Sequence, residues 1–384
     1  MEQPLGAEPN GNAAPELASL RVLLVHEWLY TWAGAERVLE QLVELMPHAD
    51  VLAGIVTPAM RREQPIARRA RETWVGAIPG AHRHHRWFLP AHAFAFSATD
   101  TSAYDLVISV SHAFEKVVRA TKAGAVHVCY CLSPPRYLWD LSEAHERHAS
   151  PLQRFALRMG RAPLQALDQS FARRVDHFVC LSHHVADRVR RTYGRESAVV
   201  YPPVATKGVS GGERRREDFL LTIGRLVPYK RVDLAIQAAD RLGMRLVVAG
   251  DGPELARLRA MAGPGTEFVG AVSEQEAGRL LSGCAAFVFC AEEDFGIAPL
   301  EANAHGAPVV AFGKGAAAET MRDGETGVLF GSQTVDALAE AIGACMARSW
   351  DERVLRENAR RFAPDRFRAG MRAELRRVLA GRGA

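Results

Sequence analysis

The sequence lacks the features that mark several large classes of protein. No apolar run approaches the ~20 residues that cross a bilayer, and the first residues have neither the basic start nor the apolar core of a secretory signal. A formal net charge of +4 gives no reason to expect nucleic-acid binding, and no familiar RNA- or DNA-binding motif occurs. The six cysteines are scattered, and no second pair joins Cys129 and Cys131 to complete a zinc site. We therefore expect a cytoplasmic protein with reduced cysteines.

The apolar pattern predicts an α/β protein with two domains. Continuous apolar runs alternate with helical stretches along the 384 residues, which is typical of parallel sheets covered on both faces. We predict that residues 1–20 form a disordered leader. The polar segment from Lys207 to Asp218 predicts a linker, so that residues 21–203 and 204–364 form two doubly wound, Rossmann-like domains. Ligands of such sheets bind beyond the carboxyl ends of the strands, here in a cleft between the domains.

Two cations follow the first predicted strand of the second half. Arg225 and Lys230 lie in the loop that leads to a helix beginning near residue 231. A lysine beside a helix N-terminus faces the positive end of the helix dipole, which is unfavourable by up to ~1 kcal/mol unless an anion lies there too. A diphosphate would accept hydrogen bonds from the guanidinium, the ammonium and the helix amides together. The alternative is that both cations are ordinary surface charges.

The segment 293–301 carries two carboxylates on either side of a Phe-Gly pair. Glu293 is predicted at the end of a strand and Glu301 in the first turn of the next helix, with Gly296 and Ile297 supplying amides at the helix start. Such a helix end attracts phosphate, and the two carboxylates are acceptors for sugar hydroxyls. Taken alone, they are equally well explained as a favourable first-turn acid and a solvated loop residue.

A second glycine-rich turn is weaker evidence. Gly250 and Gly252 follow a predicted strand and precede a helix, which is half of a dinucleotide-binding fingerprint, but Leu255 stands where the third glycine belongs. We interpret the pair as a tight strand-to-helix turn and do not expect NAD binding.

Together these segments resemble the donor site of the family-4 glycosyltransferases, which are retaining enzymes with the GT-B fold. The Glu-x7-Glu element with its Phe-Gly pair, preceded by Gly-Arg-x4-Lys, occurs in the family's order and spacing, and the resemblance covers nearly all of residues 219–331. The pattern is most similar to O-antigen-type mannosyltransferases. The resemblance implies an acceptor-side first domain, a second domain that binds the nucleotide sugar, and a last helix in residues 365–384 that crosses back to the first domain.

The resemblance also implies roles for residues of the second half. Arg225 and Lys230 would bind the nucleotide diphosphate and stabilise its departure, and Glu293 would contact hydroxyls of the donor sugar. Phe295, Gly296 and Ile297 would line the phosphate side of the donor. Glu301 would accept hydrogen bonds from the ribose.

The first half resembles the family more loosely. Residues 33–36 are similar to the Gly-Gly-Ala-Glu loop over the diphosphate, with Gly34 retained and alanine in the place of the first glycine. His112 follows a strand end, at a position where the family has a histidine near the transferred sugar, and we predict a catalytic role for it. Leu132 stands where the mannosyltransferase subgroup has a histidine, which leaves a different acceptor or sugar open.

The expected reaction moves a hexose from a nucleotide diphosphate sugar to a hydroxyl of a glycan, a lipid-linked saccharide or a small molecule. GDP-mannose is the leading donor, and a UDP- or dTDP-sugar transferase acting on a natural product is the alternative. Fixed cations replace magnesium in this chemistry, and the chain has no Asp-x-Asp motif, so we expect neither a metal nor a cofactor. A nucleotide-binding protein without turnover is the alternative from another class, and we expect no nucleic-acid partner.

A basic cluster precedes an aromatic segment in the first half. The arginines between Arg61 and Arg71 are followed by the segment 82–90, which contains Trp87 and Phe88. Such a cluster can rest on an anionic membrane surface. We favour a solvated helix face next to a buried aromatic cluster, and keep peripheral contact with the inner membrane surface as the alternative.

Overall fold

The computed structural model describes residues 15–139, 151–205 and 217–381. Within that part of the chain, it forms two compact units. The N-terminal unit contains the described residues of Met1–Val179, Val189–Ala198 and Arg368–Ala384, and the C-terminal unit contains those of Cys180–Arg188 and Val199–Phe367. Each unit is built on its own mostly or wholly parallel sheet with helices between the strands, so the predicted fold class is confirmed.

The N-terminal unit contains a seven-stranded sheet among its described residues. Its strands are β1 Val22–Leu29, β2 Asp50–Val56, β3 Arg71–Glu72, β4 Leu106–Ser111, β5 Val126–Cys131, β6 His177–Cys180 and β7 Ser197–Val199. Its helices are α1 Pro15–Ser19, α2 Gly34–Leu45, α3 Pro58–Glu63, α4 Pro65–Arg69, α5 Leu89–Ser97, α6 Arg136–Trp139 and α7 Pro151–Ala172. β4 and β5 are buried at every position, because helices cover both faces of the sheet.

The C-terminal unit contains a six-stranded parallel sheet among its described residues. Its strands are β8 Phe219–Ile223, β9 Arg245–Ala249, β10 Thr266–Gly270, β11 Ala286–Phe289, β12 Val309–Phe312 and β13 Gly327–Phe330. The remaining helices are α8 His183–Tyr193, α9 Val232–Leu242, α10 Leu255–Met261, α11 Glu274–Gly283, α12 Ile297–Ala304, α13 Ala317–Thr320, α14 Val335–Met346, α15 Glu352–Arg360 and α16 Pro364–Ala380. The helices α8 and α16 each contribute residues to both units.

Both sheets reverse their strand order at one point. The order is β3-β2-β1-β4-β5-β6-β7 in the first sheet and β10-β9-β8-β11-β12-β13 in the second. The chain therefore proceeds outward in one direction from β1 or β8, then returns to continue on the other side with β4 or β11. The loops that follow the two central strands diverge there and leave a crevice at the carboxyl edge, which is where ligands of doubly wound sheets bind.

The predicted leader and domain boundaries differ in part from the structure. Residues 15–19 form α1, with Leu17 only 3% exposed, so the prediction of disorder over the whole of 1–20 is wrong at its end. Residues 1–14 and most of the predicted linker lie outside the described part. The segment Cys180–Arg188 belongs to the C-terminal unit, because Glu319 accepts hydrogen bonds from the first amides of α8, at 2.9 and 2.7 Å.

The helix α16 packs with the N-terminal unit from Arg368 onward. The Arg368 guanidinium donates to Gln41 and Glu44 of α2, and Glu374 pairs with His177 at 2.6 Å. Polar contacts on two sides therefore hold this helix within the N-terminal unit.

A buried histidine of β5 makes the stability of the N-terminal unit sensitive to acid. His127 is fully buried, its Nε2 lies 2.8 Å from Ser109 Oγ, and burial lowers its pKa to about 4. Because this pKa is below that of the unfolded chain, stability is complete above pH 6.5 and falls towards pH 4, as the unfolded chain takes up a proton at His127 that the folded protein does not bind.

We expect this one group to remove about 3 kcal/mol of unfolding free energy between pH 7 and pH 4. Urea unfolding at both pH values, on the wild type and on His127→Gln, measures it. The destabilisation caused by His127→Gln is expected to shrink as the pH falls. An equal penalty at both pH values would contradict the assignment.

Candidate active site

The loops after β8 and β9 touch through their backbones. A Cβ atom at Gly250, whose φ is +136°, would lie 1.9 Å from the carbonyl oxygen of Gly224, and one at Gly252 would lie 2.3 Å from that of Leu226. Only glycine fits at either position. The two glycines therefore have a structural role, as interpreted from the sequence, and they fix the loop that carries Arg225 and Lys230.

Lys230 lies at the carboxyl edge of the second sheet, in the loop after β8. It ends a short 3₁₀ turn, Pro228–Lys230, and its ammonium pairs with Glu293 Oε1 while lying 5.7 Å from the centre of the Phe289 ring. The side chains of Lys230 and Glu293 are 20% and 16% exposed, so the pair is reachable from solvent but largely shielded. Since Lys230 follows β8 and Glu293 follows β11, this contact lies where the strand order reverses.

Two arginines flank Lys230 in different ways. Arg225 is exposed, and its side chain has no ion-pair or hydrogen-bond partner among the residues described. Arg231 adopts the left-handed conformation with φ of 51° and pairs with Asp233 at 3.2 Å at the start of α9. A non-glycine residue in that conformation is strained, and such strain is concentrated at functional turns.

The Glu293 loop is fixed by its backbone. β11 ends at Phe289, four positions earlier than the prediction that Glu293 ends a strand, so that prediction is wrong. The carbonyl oxygen of Glu293 accepts a hydrogen bond from the Ala316 amide at 2.9 Å, and a Cβ atom at Gly315, whose φ is +65°, would lie 2.6 Å from that same oxygen. Gly315 is thus required for the close approach that holds Glu293 in place.

Asp294 anchors the same loop to α8 and to the residue that precedes it. Its carboxylate pairs with the buried Arg188, and its carbonyl oxygen accepts from Ser182 Oγ at 2.6 Å. The carboxylate of Asp294 therefore has a structural role, and Glu293 is the carboxylate that faces Lys230.

Phe295 and Gly296 turn the chain into α12. The Phe295 side chain is 6% exposed and packs against Tyr201 and Phe362, with ring centres 6.0 and 5.6 Å apart. Its ring belongs to an aromatic cluster, so only its backbone is placed to line a phosphate. Gly296 has φ of +80° and caps α12, whose first residue is Ile297.

Glu301 is the fifth residue of α12, half-buried and beyond the first turn. The sequence predicts a helix that begins near Pro299, with Glu301 in its first turn, but the helix begins two positions earlier, at Ile297, so that placement of Glu301 is wrong. The carboxylate of Glu301 therefore lies too far from the helix N-terminus to be stabilised by the helix dipole.

The N-terminal crevice holds a buried carboxylate–histidine cluster. His112 follows β4, and its Nε2 lies 2.6 Å from Oε2 of Glu27 on β1, while its Nδ1 lies 3.7 Å from Oε1 of Glu115. Glu27 and Glu115 are 3% and 0% exposed, whereas the His112 side chain is 45% exposed. β1 and β4 are the strands between which the order reverses, so the cluster occupies the ligand-binding edge of this sheet.

These three residues are the one group in the described part of the chain with the spacing to hold a metal ion, their ligand atoms lying within 4.8 Å of one another. The two ring nitrogens of His112 face different carboxylates, however. A metal would instead take one nitrogen of the ring and one oxygen from each carboxylate. The arrangement instead fits an ion pair between an imidazolium and two carboxylates.

Gly34 is the first residue of α2 and lies beyond the carboxyl end of β1. The Glu36 carboxylate accepts a hydrogen bond from the Ala33 amide at 2.9 Å and lies 3.2 Å from His26 Nε2. Burial opposes the charge of Glu36, but these two contacts outweigh it and hold the pKa of this carboxyl below its ordinary value. The helix start is therefore a fixed turn at the same sheet edge as His112.

Most arginines of the cluster between Arg61 and Arg71 donate hydrogen bonds to other residues of the N-terminal unit. Arg61 and Arg68 donate to backbone carbonyls around α3 and α4, Arg69 donates to Pro47, and Arg71 donates to Tyr104. Trp87 is 84% exposed, so the expectation of a buried aromatic cluster is wrong for this residue. No helix in the described part of the chain is long and apolar enough to cross a membrane.

Two family models match the chain over most of its length. "Glycosyltransferase Family 4" matches residues 32–207, and "Glycosyl transferases group 1" matches residues 207–362. The two matches meet end to end, and the first contains Gly34 and His112 while the second contains Lys230 and Glu293. The chain belongs to the family-4 glycosyltransferases.

Curated relatives agree with this membership. This family-4 glycosyltransferase is 28% identical over 295 residues to a D-inositol 3-phosphate glycosyltransferase of Mycolicibacterium paratuberculosis, covering 66% of this chain and 67% of that protein. It is 31% identical over 182 residues to a GDP-mannose-dependent alpha-(1-6)-phosphatidylinositol monomannoside mannosyltransferase of Mycolicibacterium smegmatis, covering 42% of this chain. The match spans about half the length of the latter, 48%.

A solved structure agrees in fold. The HepE protein of Anabaena, in complex with UDP-glucose, superposes with a TM-score of 0.67 at 18% identity and covers 93% of this chain and 99% of that one. The predicted GT-B fold class and the identification as a nucleotide-sugar-dependent glycosyltransferase are thus confirmed.

The structure of this glycosyltransferase brings some predicted site residues together. In the C-terminal unit, Lys230 contacts Glu293, and Arg225 shares the loop of Lys230. In the N-terminal unit, His112 and Gly34 lie at one sheet edge. Sequence reasoning missed three residues that hold the predicted ones: Glu27, Glu115 and Gly315. The signals available were a charged residue inside the apolar β1 run and a Gly-Lys-Gly turn after β12.

Proposed function

We propose that this enzyme is a retaining, metal-independent hexosyltransferase whose donor diphosphate binds at the crevice beyond β8 and β11. The observation that carries the proposal is the contact between Lys230 and Glu293 at the point where the strand order reverses. A cation for the diphosphate and a carboxylate for the sugar hydroxyls are held there in one place, next to the exposed guanidinium of Arg225.

The charges of the reaction explain these residue types. Breaking the sugar–phosphate bond develops negative charge on the leaving diphosphate and positive charge on the anomeric carbon. Lys230, Arg225 and the start of α12 at Gly296 and Ile297 are placed to stabilise the negative charge. When the diphosphate takes up the ammonium of Lys230, the carboxylate of Glu293 becomes available to the sugar hydroxyls.

Retention and metal independence are supported by the same residues. Fixed cations supply the charge that magnesium supplies elsewhere, and no Asp-x-Asp motif is present in the sequence. Glu293, the carboxylate beside Lys230, is assigned to the sugar hydroxyls and not to a covalent intermediate, so we propose front-face attack, in which the leaving phosphate takes the proton of the acceptor hydroxyl. His112 is proposed to contact the transferred sugar, and Glu301 the ribose.

The favoured donor is GDP-mannose, with a glycan or lipid-linked saccharide as the acceptor. The name of the Mycolicibacterium smegmatis relative supports this choice. A UDP- or dTDP-sugar acting on a small natural product is the alternative, and the UDP-glucose complex of HepE is the observation in its favour. A cytoplasmic location with peripheral contact at the inner membrane surface stays a proposal, for which the exposed Trp87 and Phe94 are the observation.

A donor panel tests the proposal. UDP-, GDP-, ADP- and dTDP-sugars are added with EDTA to the wild type, Glu293→Ala and Glu292→Ala, and thermal stability and slow sugar release are measured. We expect one donor at a hundred times its Kd to raise the Tm by about 5–10 °C in the wild type and in the control at the exposed Glu292. Glu293→Ala is expected to lose the sugar release.

The panel has two informative failures. Stabilisation that appears only when excess magnesium replaces EDTA would overturn metal independence and leave the donor site standing. No response to any nucleotide sugar, with EDTA or with magnesium, would count against the donor site itself and favour a protein that has kept the fold without turnover.

A further inference from the structure

The two ring nitrogens of His112 have unequal surroundings. Nε2 is 2.6 Å from Oε2 of Glu27, which is a close ion-pair contact. Nδ1 is 3.7 Å from Oε1 of Glu115, which is too long for a hydrogen bond but close enough for strong attraction between charges. Nε2 is therefore paired with the protein, whereas Nδ1–H can donate a hydrogen bond to a ligand oxygen.

Both carboxylates are held in place by the protein. Glu27 lies within β1, whose backbone is paired on both sides. The second oxygen of Glu115 accepts from Ser111 Oγ at 2.9 Å and from the Ala113 amide at 3.0 Å. The backbone of Glu27 and the carboxylate of Glu115 are therefore fixed beside the ring, and burial raises the pKa of Glu27 to about 7 against the attraction of His112.

The loop that carries His112 is also held by contacts of a buried lysine. The Lys116 ammonium donates to the carbonyl oxygen of Ala113 at 2.6 Å, and it pairs with the buried Asp168 at the same distance. A one-residue shift of the loop would break both contacts and leave a buried charge unpaired, which is costly. The position of the ring is thus determined by the core of the unit.

The other titratable groups around the cluster do not cancel its negative charge. Glu36 adds a third carboxylate near the ring, and it is partnered by His26. Tyr137 and His92 are uncharged at neutral pH: burial raises the pKa of Tyr137 above its ordinary value, and burial together with His85 lowers the pKa of His92 to about 4. Burial opposes a charge on His112, but Glu27 and Glu115 outweigh it and raise the pKa of its ring.

We propose that Glu27 and Glu115 are positioning residues that keep His112 as a fixed imidazolium, with Nε2–H bound to Glu27 and Nδ1–H directed to a substrate oxygen. In this state His112 donates a hydrogen bond and a positive charge, and it has no lone pair with which to remove a proton. This inference rests on the proposed function in one respect, that the substrate oxygen belongs to the sugar. The protonation state of His112 does not depend on the proposed function.

The test measures the proton on the ring directly. NMR titration of the 15N-labelled histidine rings, with the His112 signals assigned by their loss in His112→Gln, is performed on the wild type, Glu27→Gln and Glu44→Gln. In the wild type and in the control at the exposed Glu44, we expect His112 to stay protonated beyond pH 8. In Glu27→Gln we expect its titration to move down by about two pH units or more, towards the ordinary value near 6.5.

The pH profile of turnover gives the second readout. In Glu27→Gln, kcat is expected to approach the wild-type value at pH 6 and to fall about tenfold per pH unit above the new titration point. Glu27→Asp, which keeps the charge, is expected to restore most of the rate at pH 8. A merely structural role of Glu27 would lower the rate equally at every pH.

Two results would overturn the proposal. One is a wild-type His112 that titrates near pH 6.5, which needs no variant and so does not depend on folding of a mutant. The other is an unchanged titration in a folded Glu27→Gln. If the ring stays protonated in the wild type but no nucleotide sugar is turned over, the proposed function fails while the assignment of the cluster holds.

Discussion

Replacement of Lys230 by alanine is expected to lower kcat for sugar transfer by about 10²- to 10³-fold. The Lys230 ammonium lies between the ends of two adjacent parallel strands and faces Glu293 in a largely shielded place. A fixed cation there stabilises the charge that appears on the diphosphate as the bond to the sugar breaks, and this stabilisation is larger in the transition state than in the ground state. Steady-state kinetics should therefore show a larger change in kcat than in KM.

Arg241→Ala is the matched control for this variant. Arg241 lies on α9, the helix that follows the Lys230 loop, and pairs with Asp336 in an exposed position. Removal of this cation changes the net charge equally, but exposed ion pairs contribute little, so kcat is expected to stay within about twofold of the wild type. A Lys230→Ala enzyme that keeps more than a tenth of the wild-type kcat would rule out the assigned role.

Replacement of Asp168 by alanine is expected to lower the free energy of unfolding by about 3–5 kcal/mol. Asp168 is fully buried in α7, pairs with the buried Lys116 at 2.6 Å, and accepts hydrogen bonds from Trp139 and Tyr193 at 2.9 and 2.8 Å. Burial alone would lower the pKa of Lys116, but Asp168 outweighs burial and keeps it raised. Without Asp168, a buried ammonium has no counter-charge, which is the costly case.

Urea unfolding measures this loss, and two further variants identify its cause. Asp168→Asn still offers an oxygen to Trp139 and Tyr193 but has no charge, so most of the destabilisation is expected to remain. Glu44→Ala, which removes one partner of an exposed ion pair in the same unit, is expected to cost less than about 1 kcal/mol. A loss below 1 kcal/mol for Asp168→Ala would show that Lys116 finds another partner or loses its proton.

Much of the candidate site in the C-terminal unit could be predicted from the sequence. Arg225, Lys230 and Glu293 lie in loops between a strand and a helix, and glycine and proline mark such loops in the sequence because they restrict the backbone. The boundaries are less predictable: the sequence predicts a helix that begins near Pro299, because proline is favoured at a helix start, whereas Gly296 turns the chain into α12 two residues earlier.

The support of the site was not predictable, because it comes from residues that are distant in the sequence. The position of Glu293 depends on Gly315 and Ala316, in the loop after β12. The state of His112 depends on Glu27 from β1, a residue that in the sequence is only one charge within an apolar run. The burial of the Phe295 ring depends on Phe362, which follows α15.

The sequence by itself determined the elements and the chemistry of this protein: two series of buried strands, the loops between them, and the cations and carboxylates that these loops carry. Only the tertiary structure decided which of these groups meet. β8 pairs with β11, although β9 and β10 come between them along the chain, and β1 pairs with β4 in the same way. The physical reason is that side-chain periodicity fixes which residues of a strand are buried, while strand order is fixed by packing of the whole sheet and its helices, which no local pattern encodes.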